Sequence, residues 1–204
     1  MSNARNLANL LGTNTTVPSS KQPSGAILQV KQTVFKDQFT DSLTANNQEE
    51  VVTGLNCTIT PSSASNKILV RYMVHVGTSS FYDVAINIYK NVTANTGSHP
   101  LGTFLKDSSA NDIKGAATGS RPRSFAVANF YGENSAVGAY KCVPVCGEAL
   151  DHPNSTSALT YSFAFQTYSW SSVPVYVNRS HTFNNTSEYD HMPTSTMTLM
   201  EIAG

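Results

Sequence analysis

Charge is scarce in this chain and it cancels: 13 Lys and Arg stand against 13 Asp and Glu in 204 residues. Without a basic surplus there is little to neutralise a phosphate backbone, so no nucleic-acid partner is expected. Arg121 and Arg123 form the one tight basic pair, in a stretch that reads as loop. Tryptophan occurs once and cysteine three times. Long hydrophobic runs are missing too. The apolar cluster after Met1 is too short for a signal-peptide core or a membrane span, and no membrane insertion is expected. Also missing are Gly-x-Ser-x-Gly, Gly-x-x-x-x-Gly-Lys and His-Glu-x-x-His, the signatures of a nucleophile elbow, a phosphate loop and a zinc-protease helix. No repeat of propeller or solenoid length is visible.

What is present is alternation. Leu55, Cys57 and Ile59 alternate with Asn56, Thr58 and Thr60, the period-two pattern of a half-buried strand. Pro61 has no N–H for a ladder, and Ser62 to Asn66 carry turn chemistry. Alternation resumes with Ile68, Val70, Tyr72, Val74 and Val76. Two strands joined by a short polar turn predict an antiparallel hairpin over 51–76, on which the body is organised. Upstream, 27–35 reads as a strand with Leu28, Val30 and Val34 on one face, followed by a loop over 36–49. Downstream, strands are expected over 81–89, 101–105, 123–131, 136–145, 159–167, 173–177 and 194–202. Phe125 and Val127 alternate in the third of these, and Pro174 suggests an edge position. The long polar stretch 106–122 shows no core signal and reads as a functional or mobile loop. The fold class is all-β, a two-sheet, jelly-roll-like sandwich with an extended N-terminal arm.

The arm and linker occupy 1–25 and the sandwich 26–204. Leu7, Leu10 and Leu11 share one face of a segment too short to be a stable helix alone. Residues 12–25, polar and carrying Pro18 and Pro23, span up to about 45 Å if extended. A long tether with a greasy tip suits it to grasping a neighbour. Tyr168 and Trp170 lie at a turn between strands, where an exposed ring can fill a partner's pocket or stack on a sugar. These five residues are the candidate partner-binding positions. No catalytic, cofactor or metal residue is assigned. His152 and His191 each follow an Asp beside a Pro, but adjacent strand residues point to opposite faces. Glu133, Glu148, Asp151 and Asp190 are the carboxylates from which a glycosidase pair would be drawn, and nothing ranks them. Cys57 reads as a small buried hydrophobe. Whether Cys142 and Cys146 are bonded is left open by the sequence, with cytosolic assembly favouring free thiols.

Several segments together carry a family signal. They are Ile-Leu-Gln-Val-Lys-Gln-Thr from residue 27, Gly-Leu-Asn-Cys-Thr-Ile-Thr-Pro-Ser-Ser-Ala-Ser-Asn-Lys-Ile-Leu-Val from 54, and Asp-His-Pro-Asn-Ser-Thr-Ser-Ala-Leu-Thr-Tyr-Ser-Phe from 151. Val-Tyr-Val-Asn-Arg-Ser and Ser-Thr-Met-Thr-Leu-Met-Glu-Ile follow. In that order they resemble a β-sandwich module of tail-fibre and virion structural proteins of tailed bacteriophages, especially marine phages. The resemblance covers residues 26–204 and implies no catalytic residue. The expectation is a non-enzymatic virion component, assembled in the host cytoplasm as a homotrimer. It would act as a tail-associated fibre or receptor-contacting protein, meeting other virion proteins through the arm and a host surface glycan or protein through the body. A head decoration or cement protein is the first alternative, and a carbohydrate-binding or carbohydrate-active protein the second.

Overall fold

A computed structural model describes residues 22–43, 48–78, 83–95, 100–116, 119–130, 140–167, 172–183 and 190–204. Strands run in the order β1 (Ile27–Phe35), β2 (Phe39–Leu43), β3 (Gln48–Ile59), β4 (Lys67–Thr78), β5 (Val84–Lys90) and β6 (Thr103–Phe104). They continue as β7 (Ala126–Ala128), β8 (Val143–Asp151), β9 (Leu159–Thr167), β10 (Val173–Val177) and β11 (Ser195–Ile202). The described residues contain no helix. A six-stranded sheet has the order β1-β11-β4-β10-β2, with β8 also on β4. A five-stranded sheet has the order β3-β9-β5-β6, with β7 also on β5.

The registers simplify this list. β8 takes one flank of β4, so β11 (on Lys67 to Met73) and β10 (on Val76 to Thr78) share the other and lie end to end. β1 and β2 are likewise successive halves of one lane, as are β7 and β6. Each sheet is therefore four lanes wide. Numbered along the chain, the lanes run 1-8-3-6 in the first sheet and 2-7-4-5 in the second. That is the order of an eight-stranded jelly roll, two interlocked Greek keys. The sandwich is as expected and its strand order is now defined.

Burial between the sheets is what selects this arrangement. Leu55, Cys57 and Ile59 of β3 and Ile68, Val70, Tyr72 and Val74 of β4 are all buried, as their alternation predicts. The hairpin they suggested does not form. β3 pairs with β9 in one sheet and β4 with β11 and β8 in the other, so Pro61 to Asn66 carry the chain across the roughly 10 Å between sheets. Period-two alternation reports one buried face and is silent on which edge is paired, so both arrangements satisfy it.

Other expectations need correction. β1 turns Val30 and Val34 outward, 53% and 47% exposed, while Gln29, Thr33 and Phe35 face inward against β11. The loop expected over 36–49 holds β2 and the start of β3, hidden because Thr40, Asp41 and Ser42 leave β2 with few apolar residues. β10 is an interior lane between β2 and β4, and Pro174 lies one residue beyond Val175, where pairing to β4 ends. The proline on an edge strand is Pro144, inside β8, which extends to Asp151, beyond the 136–145 strand expected. Val127 of β7 is exposed, while Phe125, just before that strand, packs against the core.

Asn178 holds the place where two lanes break. It is buried at φ 59°, a conformation Asn tolerates. Its Nδ2 donates to the carbonyls of Phe35 (2.8 Å) and Asp37 (2.9 Å), bridging the gap between β1 and β2. Its Oδ1 accepts from Ser195 Oγ at 2.6 Å, fixing the start of β11, and its N–H donates to His75 O.

Candidate functional site

Two polar clusters lock the interior, and both act structurally. Asp151, at the end of β8, accepts from Lys90 Nζ at 2.8 and 2.9 Å, from Tyr161 Oη at 2.6 Å and from the Lys106 N–H at 2.6 Å. Lys90, Asp151 and Tyr161 are all buried, so this ion pair joins the two sheets where its charges are fully satisfied. The Tyr161 phenol is pushed far up by burial and by the Asp151 charge, so it stays a proton donor. At the other cluster Glu201 accepts from Gln29 Nε2, Ser62 N, Ser62 Oγ and Asn66 Nδ2, all between 2.6 and 2.8 Å. Burial raises its carboxyl pKa, but these donors outweigh that and leave it below the ordinary value.

Outside the core, the first sheet presents a face left uncovered among the described residues. Register places its outward residues in rows across four lanes. Val30, Met200, Leu69 and Leu150 make one apolar row. Gln32, Thr198, Arg71 and Glu148 make the next, closed by a 2.8 Å bond from Gln32 Nε2 to Thr198 Oγ1 and a 3.3 Å contact between Arg71 and Glu148. Val34, Thr196, Met73 and Cys146 make the third. Ile27, Val30, Val34, Met73 and Leu150 are exposed, and the middle of the face is a shallow depression. Arg71 and Glu148 pair near the middle of this face, and Lys67 lies at one end of it, in register with Ile202 and Ile27.

Beside β8 a second concavity of about 500 Å3 lies between that edge strand and the segment after β6. Ile113, Lys114, Gly115, Phe125 and Ala126 form one wall and Cys146 to Glu148 the other, with Tyr72 also lining it. Tyr72 projects inward from β4 and is packed by Phe125 and Phe163, ring centroids 5.8 and 5.6 Å away. Its Oη passes over Gly147, where a Cβ would stand only 2.5 Å from it. Within the 106–122 stretch, Ile113 packs against the core and Lys106 Nζ meets Asp112 at 2.6 Å.

Leu7, Leu10, Leu11, Tyr168 and Trp170 lie outside the described residues, as does Glu133. Of the other carboxylates weighed for catalysis, Asp151 is committed to Lys90, while Glu148 points outward to Arg71. They occupy opposite faces of β8, so they do not flank a common bond. Asp190 accepts from Ser180 Oγ at 2.7 Å. Among the histidines, His181 Nδ1 pairs with Tyr176 Oη at 2.9 Å, and the His152 N–H donates to Lys106 O. No group of three metal-ligating side chains occurs among the described residues. Cys57, Cys142 and Cys146 are free thiols. Four residues of extended chain separate the last two by about 13 Å, beyond the ~7 Å a disulfide allows.

Sequence reasoning missed the exposed face because the apolar residues of β1 read as core. No family model matches the chain, and no curated protein matches it.

Proposed function

We propose that this protein is a structural component of a tailed-phage virion, a tail-associated fibre or receptor-contacting protein that works by surface binding and not by catalysis. The observation that carries this reading is the bare outer face of the first sheet, where Ile27, Val30, Val34, Met73 and Leu150 meet solvent. Four lanes at about 4.8 Å and seven residues at about 3.4 Å make a face of roughly 19 by 24 Å. Exposed apolar rows on either side of a polar one, over a face of that size, fit an interaction site. The occupant is another copy of this chain in a homotrimer. Because Arg71 and Glu148 neutralise each other within the face, packing it against another copy buries no unpaired charge at its centre. β10 is interior, so the strand of Pro174 offers no free edge for a seam, and the trimer contact belongs to this face. Residues 1–25 serve as the attachment arm in this reading.

The test is incorporation. Labelled protein should appear at the tail in micrographs of intact particles, and protein lacking residues 1–25 should fold but fail to join them. Label on the head instead makes it a decoration or cement protein. Absence of label from particles overturns the virion reading. Light scattering should give three times the chain mass, and a monomer at micromolar concentration removes the trimer.

A further inference from the structure

The backbone edge of β8 is open along the cleft beside it. The Asn178 N–H donates to His75 O from the flank of β4 that carries β10 and β11. Odd-numbered residues of β4 therefore bond that flank and even-numbered ones bond β8. Register then turns the N–H and C=O groups of Cys146, Glu148 and Leu150 away from β4, toward the cleft. None of these backbone groups is hydrogen-bonded among the described residues.

The chain starts a further lane there and leaves it. The His152 N–H donates to Lys106 O at 2.9 Å, one pairing step beyond Leu150. Lys106 then bridges to Asp112 and the Ile113 N–H returns to Leu105 O, so nothing continues along β8. Pro144, which has no N–H to offer, bounds the opening at the other end. What remains is Cys146 to Leu150, about 17 Å of strand at roughly 3.4 Å per residue. The concavity of about 500 Å3 leaves room alongside it. Open edges of this kind accept extended segments as added strands.

A segment of matching length is present in this chain. Thr13-Asn14-Thr15-Thr16-Val17 is uncharged and rich in β-branched residues, with Gly12 and Pro18 on either side. It lies outside the described residues, which begin at Gln22. Gln22 sits beside Ser62, Asn66 and Gly204, at the end of the first sheet where Leu150 also lies. Extended, residues 13–21 reach about 30 Å, past the sheet's width of roughly 19 Å. Coming to its own β8 from that end, the segment would run parallel to the strand, because residues 18–21 are too few to double back. A neighbour's segment is free to run antiparallel, as every strand pairing among the described residues does.

We propose that residues 13–17 of one copy add as a strand to β8 of the next, so that arms are exchanged around the trimer. This rests on the homotrimer reading above and gives it a second contact, a head-to-tail one that a threefold axis closes. Leu7, Leu10 and Leu11 lie ahead of the exchanged strand and stay available for attachment.

Disulfide trapping in the full chain tests it. Thr13→Cys, Asn14→Cys, Thr15→Cys, Thr16→Cys and Val17→Cys are made singly and oxidised mildly, with the free thiol of Cys146 as partner. Bonds to Cys146 should form at alternate positions only, because neighbouring strand residues point to opposite faces. They should join different chains, giving linked species of two and three chains on non-reducing gels. Bonds within one chain, at all five positions alike, or at none overturn the proposal. Hydrogen exchange reads the same contact without added cysteines. The amides of Cys146, Glu148 and Leu150 should exchange at least about tenfold more slowly in the unmodified chain than in one with a Gly-Ser spacer replacing 13–17. Equal rates overturn it. A trimer by light scattering that gives no cross-links removes the exchange and leaves the trimer, whereas a monomer removes both.

Discussion

The two sheets treat their outer faces in opposite ways. On the second sheet Ala85, Asn87, Tyr89, Ser162, Ala164 and Gln166 all point away from the core, yet all are buried. There Asn87 Nδ2 donates to Glu49 Oε1 at 2.9 Å and to Gln166 Oε1 at 3.2 Å, and Tyr89 Oη donates to Glu49 Oε2. On the first sheet the outward residues include Val30, Val34, Met73 and Leu150, and these are exposed. Polar groups are covered on one side and apolar groups are bare on the other. A sandwich evolved only to fold would reverse this, because buried polar groups need partners and exposed apolar ones gain nothing. The second sheet is finished within the chain. The first keeps apolar side chains in solvent.

That contrast can be sharpened by mutation, beginning with an interior reference. Asp151→Ala leaves the Lys90 charge buried and unpaired and should cost about 3–5 kcal/mol in urea denaturation. Glu49→Ala on the second sheet's outer face should cost about 2–4 kcal/mol, since it strips acceptors from buried Asn87 and Tyr89. A loss under about 0.5 kcal/mol there, the range of ordinary surface changes, would mean that face is no more finished than its counterpart.

A smaller, pH-gated effect should come from Glu201. Its folded-state pKa lies below the ordinary 4.5, so its contribution is fully present above that value and is lost as pH falls through the folded pKa. Glu201→Gln should therefore be less stable than the unmodified chain at neutral pH, with the gap closing below about pH 4.5. A gap that stays constant down the acid limb would show that the carboxylate is not what holds Ser62 and Asn66. The smallest stability changes belong to the bare face. Val30→Thr and Leu150→Thr should each alter unfolding free energy by no more than about 0.5 kcal/mol, while the double variant should lose its self-association in light scattering. Equal mass with and without the substitutions would put the seam elsewhere.

Much of the fold was legible. The alternation of Leu159, Tyr161, Phe163 and Phe165 placed β9 at its observed bounds, and Val173, Val175 and Val177 did the same for β10. β8 was not legible, because Pro144, Gly147 and Glu148 weaken its strand signal and an edge strand tolerates them. Pairing was the harder question. Residues 51–76 show two strands either way, and only long-range packing decides that they face each other across the core. The candidate surfaces were least legible. An apolar stripe such as Val30 and Val34 signals burial without saying whether the core or a neighbour supplies it. A free strand edge such as that of β8 exists only once the surrounding chain is in place.

Cys146 offers the most direct measurement, because it stands on the bare face beside Met73 while Cys57 is buried and burial pushes the Cys142 thiol up to about 11. Alkylation followed by mass spectrometry, at a concentration where light scattering reports three chains, should find Cys146 protected at least about tenfold relative to the Val30→Thr/Leu150→Thr variant, as a thiol in a desolvated interface reacts slowly. If Cys146 reacts equally fast in both, the outer face of the first sheet remains open in the assembly and is not its seam.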